Sequence, residues 1–320
     1  MMNTETAFLG IDTSCYTTSL CLLSPEGKLL AEARRLLKVQ EGRCGLQQSE
    51  MVYQHTRNLP ELMQQVYSSQ TYKLAGIGVS ARPRPREDSY MPAFLAGLGL
   101  ARSLGAALGV PVAELSHQEN HLEAGVWSAG GPGAGRFLLL HASGGTTDLL
   151  LAERGSAQEH YQLTGLGGSL DLHAGQFVDR VGVALGLGFP CGPALEKLAA
   201  TATEIAPVPV SVRGLELSFS GPATAALRAA KAGAVPAALA AGVQQAIGQA
   251  LAKLLVNGAA AARVSDVLLV GGVGANATIR ALIEKKLAAQ SVRLWVPAPQ
   301  FSGDNASGCA AFARRVGAAS

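Results

Sequence analysis

At 320 residues the chain is long enough for two ordinary domains. Hydrophobic residues make up 48% and charged residues 15%, a globular composition that excludes a disordered chain. The net charge of +3, from 26 basic and 23 acidic residues, neither demands nor excludes a nucleic-acid partner. The 38 glycines predict many tight turns and close backbone approaches. No apolar run reads as long enough to cross a membrane. Met1–Phe8 lacks the basic stretch and apolar core of a signal peptide, and Asp12 interrupts the first apolar strand. The five cysteines (Cys15, Cys21, Cys44, Cys191, Cys309) are scattered, odd in number and without a C-x-x-C pair. That pattern suits a reducing cytosol and argues against a disulfide scaffold or a cysteine-only zinc site. The expectation is a cytoplasmic protein with no membrane partner.

In chain order, Phe8–Leu30 (FLGIDTSCYTTSLCLLSPEGKLL) reads as an apolar strand, a small polar turn, a second strand and another turn. Gln48–Val66 carries apolar residues at helical spacing, Leu74–Ser80 reads as a short strand, and Ala93–Leu108 as a small-residue apolar helix that is largely buried. The Gly- and Pro-rich loop Gly130–Gly135 precedes Phe137–Gly155 (FLLLHASGGTTDLLLAERG), which repeats the strand–turn–strand pattern of the N-terminus. Two such units more than a hundred residues apart suggest two lobes of related topology; coincidence is the other reading, since hairpins are common. Gly175–Leu187, Ala194–Ala200 and the long Ala237–Ala262 read as helices, followed by the strand Val264–Val270 and the helices Ala277–Ala288 and Asn305–Val316. Alternating strands and helices define an α/β chain. The expected lobes are 1–115 and 116–320, with the last helix a candidate to fold back on the first lobe.

Several constellations could carry chemistry. His117 and His121 are four apart, so a helix would place both imidazoles on one face, as a shared metal ion requires; two partly exposed helix histidines are the alternative. Gln118 stands where a zinc protease of the H-E-x-x-H type has its glutamate, which argues against protease chemistry. A third ligand is needed. Asp304 is the candidate, although aspartate is a favoured N-cap residue and on the residues alone capping the last helix is the favoured reading. The turn Ser143-Gly144-Gly145-Thr146-Thr147 offers open backbone and hydroxyls to a phosphate, or is simply a hairpin turn. Asp12 on the matching N-terminal turn could orient a metal or a water, or cap its own turn. Gly271-Gly272-Val273-Gly274-Ala275-Asn276 joins a strand to a helix and suits an anion or nucleotide, without matching a Walker loop or G-x-G-x-x-G. Arg82-Pro83-Arg84-Pro85-Arg86 is a stiffened basic loop that could meet nucleic-acid phosphates or be a solvated surface loop.

Taken together, these stretches resemble one family over almost the whole chain, that of the tRNA threonylcarbamoyl transferase TsaD and its archaeal and eukaryotic counterparts, once described as an O-sialoglycoprotein endopeptidase. The matching motifs run in the family's order: Gly10-Ile11-Asp12-Thr13-Ser14-Cys15, His117…His121, Ser143-Gly144-Gly145, and Ser169-Leu170-Asp171 with Ala174-Gly175 and Asp179. Phe189-Pro190-Cys191-Gly192-Pro193, Leu217-Ser218-Phe219-Ser220-Gly221, Gly271–Asn276 and Asp304-Asn305-Ala306 complete the set. The resemblance implies a two-lobed actin-like ATPase (ASKHA) fold with duplicated ribonuclease H-like domains. It implies one iron or zinc ion on His117, His121 and Asp304. It also implies an adenine nucleotide (ATP, ADP or an adenylate) on Ser143, Gly144, Gly145, Asp179, Gly192 and Asn276, with Asp12 as a catalytic residue that positions the reacting groups. The implied reaction moves a threonylcarbamoyl group from threonylcarbamoyl-adenylate to N6 of a tRNA adenosine beside the anticodon. The implied partners are tRNA and the other proteins of a threonylcarbamoylation complex.

The chain departs from that pattern at several points. Thr146 replaces the family's histidine after Ser-Gly-Gly, the arginine loop replaces a glycine-rich T-x-G-P-G-x-x-G, His173 and Gln176 stand within a rewritten D-D-A-A-G-E, and Pro222-Ala223 loses a lysine. The metal ligands are kept while pocket residues change, as in a diverged paralogue. One reading is therefore the transferase or a diverged version of it. The other is a non-catalytic nucleotide-binding scaffold or regulator of the same fold, with a homodimer formed through Ala93–Leu108.

Overall fold

The computed structural model describes residues 5–14, 16–39, 46–156 and 159–317. Cys15, Cys44 and the first four residues of the N-terminal segment lie outside them; Cys21, Cys191 and Cys309 are buried free thiols. The elements in chain order begin β1 (Glu5–Asp12), β2 (Thr17–Leu23), β3 (Leu29–Leu36), α1 (Gln48–Val66), β4 (Tyr72–Arg82), α2 (Phe94–Leu108), β5 (Val112–Ser116) and α3 (His117–Ala129). They continue with β6 (Arg136–Ala142), β7 (Thr147–Glu153), β8 (Gln162–Ser169), α4 (Ala174–Ala184), α5 (Gly192–Ala199), β9 (Val212–Arg213) and β10 (Glu216–Leu217). The chain closes with α6 (Ser220–Lys231), α7 (Pro236–Ala262), β11 (Asp266–Val270), α8 (Ala277–Ala288), β12 (Arg293–Trp295) and α9 (Ser307–Gly317).

The chain divides into two compact units. The first comprises Met1–Gly130, Arg154–Tyr161 and Gly303–Ser320, and the second Gly131–Glu153 and Gln162–Ser302. The boundary near residue 115 thus shifts to Gly130, because α3 packs on α9 and against β4 and β5 of the first unit. Within that unit the sheet runs β3-β2-β1-β4-β5, with β1–β2 and β2–β3 antiparallel and β1–β4 and β4–β5 parallel. The second unit repeats this connectivity as β8-β7-β6-β11-β12, with the same senses, and adds β10 and β9 beyond β8. The duplication suggested by the two hairpins is therefore a duplication of whole five-stranded sheets.

Burial explains the strand pattern. Every residue of β2 and six of the eight in β1 are buried, as expected of strands covered on both faces. On one face, Leu9, Ile11, Leu20, Leu22 and Val79 meet Leu59, Leu62 and Val66 of α1. On the other, α9 crosses β1 and β4 where Gly10 and Gly78 leave room. A Cβ at Gly78 would overlap the Cys309 carbonyl and stand 2.6 Å from its carbon, and one at Gly10 would stand 2.6 Å from the Ala310 nitrogen. The sheet can accept the helix this closely only because those two positions lack side chains.

Two expectations are corrected. The α2 helix buries one face, through Phe94, Gly97, Ala101 and Gly105, and exposes Leu95 and Leu108. Its outer side and α1 border an apolar groove of about 800 Å³ lined by Leu59, Met63, Tyr67, Leu95, Leu100 and Leu104. The α7 helix, 27 residues long, does have the length and hydropathy of a membrane span, contrary to the sequence reading. It is the central core helix of the second unit instead. Its Leu239, Val243, Ile247, Leu251, Leu254 and Leu255 are buried against strands and neighbouring helices, and 72% of its most apolar window is covered.

Candidate metal centre

Ser116 ends β5 and caps α3. Its hydroxyl accepts the Glu119 N–H (3.2 Å), and the Glu119 carboxylate accepts the Ser116 N–H (2.7 Å). This capping box starts the helix at His117, so His117 and His121 fall one turn apart on one face. Their Nε2 atoms are 3.2 Å apart, with the rings edge to face at 4.4 Å between centroids. Asp304 Oδ1 lies 3.3 Å from His121 Nε2 and 3.7 Å from His117 Nε2. Two imidazole nitrogens bound to one tetrahedral zinc at about 2.1 Å stand about 3.4 Å apart, so the spacing fits a single ion. Among the described residues these three side chains form a His/Asp cluster of metal-binding size.

The competing role for Asp304 was helix capping, and the structure gives that role to its neighbour. α9 begins at Ser307 rather than at residue 305, and the Asn305 carboxamide oxygen accepts the Ser307 N–H (2.9 Å). Asn305 also donates to the Gly303 carbonyl (2.8 Å). Asp304 Oδ1 faces the two histidines.

The surroundings keep His117 neutral. Burial, then the neighbouring His121, hold His117 down at about 4, against the attraction of Asp304, so its imidazole keeps a lone pair at neutral pH. Asp12, at the end of β1, is fully buried and within electrostatic reach of Asp304 and His121. It accepts from the Ser14 N–H (3.1 Å), the Ser14 hydroxyl (3.0 Å) and the Ser80 hydroxyl. Burial first, then the charge of Asp304, push its carboxyl up to about 7, despite the hydrogen bonds from Ser80 and Ser14 and the pull of His121. Asp12 is thus electrostatically coupled to two of the three candidate ligands. Ser80 and Asn120, whose amide donates to the Asn305 carbonyl (2.8 Å), are parts of the centre that sequence reasoning did not single out. The capping box was readable as S-x-x-E at Ser116–Glu119; nothing in the sequence marked Asn120.

The arginine loop leaves β4 beside the same helix, since the Pro83 carbonyl accepts the Gln118 N–H (3.3 Å). Arg84 and Arg86 are exposed, and Arg86 forms a two-pronged pair with Asp88 (2.6 and 3.0 Å).

The six candidate nucleotide residues lie in the second unit. Ser143 closes its turn through its N–H to the Thr146 carbonyl (2.8 Å), and its hydroxyl accepts the Gly145 N–H (3.3 Å). The first turn of α4 abuts it: the Gly175 N–H donates to the Ser143 carbonyl (3.1 Å), and a Cβ at Gly175 would stand 2.7 Å from Gly144. Gly144, Gly145 and Gly192 face open space, which suits an approaching ligand. Two other candidates already have structural partners. The Asn276 carboxamide oxygen caps α8 through the Ile279 N–H (3.0 Å), and the Asp179 carboxylate accepts the Cys191 N–H (2.8 Å). Asp171 accepts from the Leu172 and Phe219 N–H groups and the Ser218 hydroxyl, pinning the segment before α4 to the start of α6. Burial opposes its ionisation, but these hydrogen bonds together hold it down at about 2.

A duplicated β3-β2-β1-β4-β5 sheet with helices on both faces defines the actin-like ATPase (ASKHA) class of α/β protein. A ROK family glucokinase from Streptomyces griseus, solved with glucose and AMPPNP, superposes with a TM-score of 0.54 at 12% identity, covering 97% of this chain and 99% of its own, and so shares the fold. The family model for TsaD, tRNA N6-adenosine threonylcarbamoyltransferase, matches residues 42–311, and the chain belongs to that family. A tRNA N6-adenosine threonylcarbamoyltransferase of Thermus thermophilus is 35% identical over 282 residues, 87% of this chain and 83% of its own. A probable bifunctional tRNA threonylcarbamoyladenosine biosynthesis protein of Methanothermobacter thermautotrophicus is 30% identical over 93% of this chain, which spans 53% of that longer relative.

Proposed function

We propose that this chain is a metal-dependent transferase that moves a threonylcarbamoyl group from threonylcarbamoyl-adenylate to N6 of a tRNA adenosine beside the anticodon. The observation that carries this reading is the convergence of His117, His121 and Asp304, whose ligand atoms lie within metal-binding distance of one another. These three residues would hold one iron or zinc ion, which when bound supplies a Lewis acid for a carbonyl oxygen. His117, kept neutral by burial, offers its lone pair without first losing a proton. Buried and gripped by Ser14 and Ser80, Asp12 orients His121 and Asp304 electrostatically rather than touching solvent.

In the reaction, the adenosine amine forms a bond to the carbamoyl carbon, the bond from that carbon to the adenylate phosphate oxygen breaks, AMP leaves, and the amine gives up one proton. The open turn Ser143–Gly145 and Gly192 are read as the surfaces that receive the adenine nucleotide, with Asn276 and Asp179 shaping them through the caps they make. Exposed Arg84 and Arg86 are read as contacts for tRNA phosphates. Partner proteins of a threonylcarbamoylation complex and a cytoplasmic setting belong to the same proposal. A non-catalytic scaffold is the second reading, favoured by the residues that depart from the family pattern: Thr146, the arginine loop and Pro222.

Elemental analysis of the purified chain beside a His117→Ala/His121→Ala variant tests the proposal. One iron or zinc per chain, lost in the variant, is expected and leads on to a transfer assay with adenylate and tRNA. A chain that takes up neither metal when supplied with both refutes the metal-assisted mechanism and leaves the scaffold.

A further inference from the structure

We infer that Asn120 is a positioning residue for the metal centre, setting the distance between the histidine helix and the carboxylate loop; this rests on reading His117, His121 and Asp304 as the ligands. His117 and His121 ride on α3, whereas Asp304 sits in the turn before α9, nearly two hundred positions away in sequence. Two structural features hold these segments together beside the ligands. The first is the Asn120 carboxamide, which donates to the carbonyl of Asn305, the residue next to Asp304 (2.8 Å). The second is the close crossing of α3 and α9 at Gly308, where a Cβ would stand 2.5 Å from Asn120 Oδ1 and 2.7 Å from the Ala124 nitrogen.

Asn120 is 1% exposed, so its amide does not exchange this partner for water. The Asn305 side chain accepts the Ser307 N–H and donates to the Gly303 carbonyl, which shapes the turn that carries Asp304. Asn120 precedes His121 directly, so a displacement of the Asn305 carbonyl from Asn120 becomes a displacement of Asp304 from His121. Metal–ligand distances tolerate about 0.2 Å, so even a small displacement acts on the ion. Gly308 permits the approach, and the amide hydrogen bond sets its register.

The test measures zinc affinity of the full-length chain by chelator competition, for wild type, Asn120→Ala, the near-isosteric Asn120→Asp, and a core control, Leu59→Ala. Leu59 is buried in the α1 face of the same unit and touches none of the ligands. Circular dichroism confirms that each variant is folded at the temperature used. Cobalt(II) replaces zinc in a parallel series, so that the visible spectrum reports ligand geometry.

Loss of a group hydrogen-bonded directly to a metal ligand typically weakens binding about 10–100-fold, which sets the upper range for Asn120, whose bond is to the residue beside the ligand. The inference expects a weakening of that order in both Asn120 variants, with an altered cobalt spectrum, and wild-type affinity in Leu59→Ala. Asn120 variants that bind zinc within about twofold of wild type overturn the inference while leaving the metal reading intact. Equal weakening in Leu59→Ala overturns it as well, because general destabilisation then accounts for the loss. A wild-type chain that binds neither zinc nor cobalt(II), and takes up no iron when supplied with it, overturns the metal reading itself, and the inference with it.

Discussion

Gly78→Ala probes the link between sheet packing and the metal centre. The new Cβ would stand 2.6 Å from the Cys309 carbonyl carbon, on the backbone of α9 rather than on a side chain that could rotate away. An ordinary carbon–carbon contact is about 3.5–4.0 Å, so α9 must retreat by about 1 Å. Overpacking of this kind costs about 1–3 kcal/mol. In units of this size that lowers Tm by roughly 2–4 °C for each kcal/mol. Because Asp304 leads into α9, the same retreat carries it away from His121, and zinc binding should weaken together with stability. Gly99→Ala is the matched control. Gly99 lies inside α2 with nothing within 4 Å of a built Cβ, so alanine should stabilise by about 0.5–1 kcal/mol and leave zinc binding alone. Thermal melts followed by circular dichroism, with zinc titrations on the same samples, read both effects. A Gly78→Ala chain with wild-type Tm and wild-type zinc affinity would show that the close crossing does not set the position of α9, and the reasoning would fail.

Two predictions concern pH. The Asp12 carboxyl is raised to about 7 in the metal-free fold from an ordinary value of 3.8, so the native state holds this proton more tightly than the unfolded chain does. Stability from this group therefore falls as pH rises from about 4 to about 7. Metal-free Asp12→Asn should exceed wild type in Tm at pH 8, with the gap closing towards pH 5; a gap independent of pH refutes the buried-charge account. Asp171 has the opposite sign. Its carboxyl is lowered to about 2, so its contribution is present above about 4 and is lost as pH falls through 2. Asp171→Asn should cost at most about 1 kcal/mol at pH 7, given its exposure, and that cost should shrink along the acid limb of urea unfolding curves. A cost that is the same at pH 7 and pH 2.5 would assign the effect to lost shape rather than lost charge.

The strand–turn–strand repeat was legible because β1, β2, β6 and β7 are continuous apolar runs buried on both faces. Their third partners were not. β3 (LLAEARRL) mixes charges with helix-forming residues and is mostly only partly buried, and β8 (QLTGLGGS) has three glycines, so neither carries a strand signature. β5 was missed for a related reason, being short and only partly covered, and the lobe boundary was consequently drawn before α3 rather than after it. In the site, the i, i+4 histidines were readable because helical geometry alone aligns them. The role of Asp304 was not, since Asp304 and Asn305 are both good capping residues. Which of them caps depends on whether the helix opens two residues earlier or later, a choice made by packing on β1 and β4. Asn276 and Asp179 show the converse limit: side chains that match a ligand-binding motif are already engaged with the backbone of their own unit.

The balance between enzyme and scaffold turns on Asp12. A scaffold that binds no metal has no physical reason to keep a carboxyl at complete burial within the electrostatic reach of Asp304, because two acids close together in a dry site each disfavour ionisation of the other. The buried carboxyl carries a cost in the bare protein that a divalent cation on this cluster would offset, and the lone pair that burial keeps unprotonated on His117 would be available to it. The departures from the family pattern at Thr146, the arginine loop and Pro222 bear on what approaches the centre and how it is gripped. They leave His117, His121 and Asp304 in place, so under the proposed transferase reading a changed substrate would account for them.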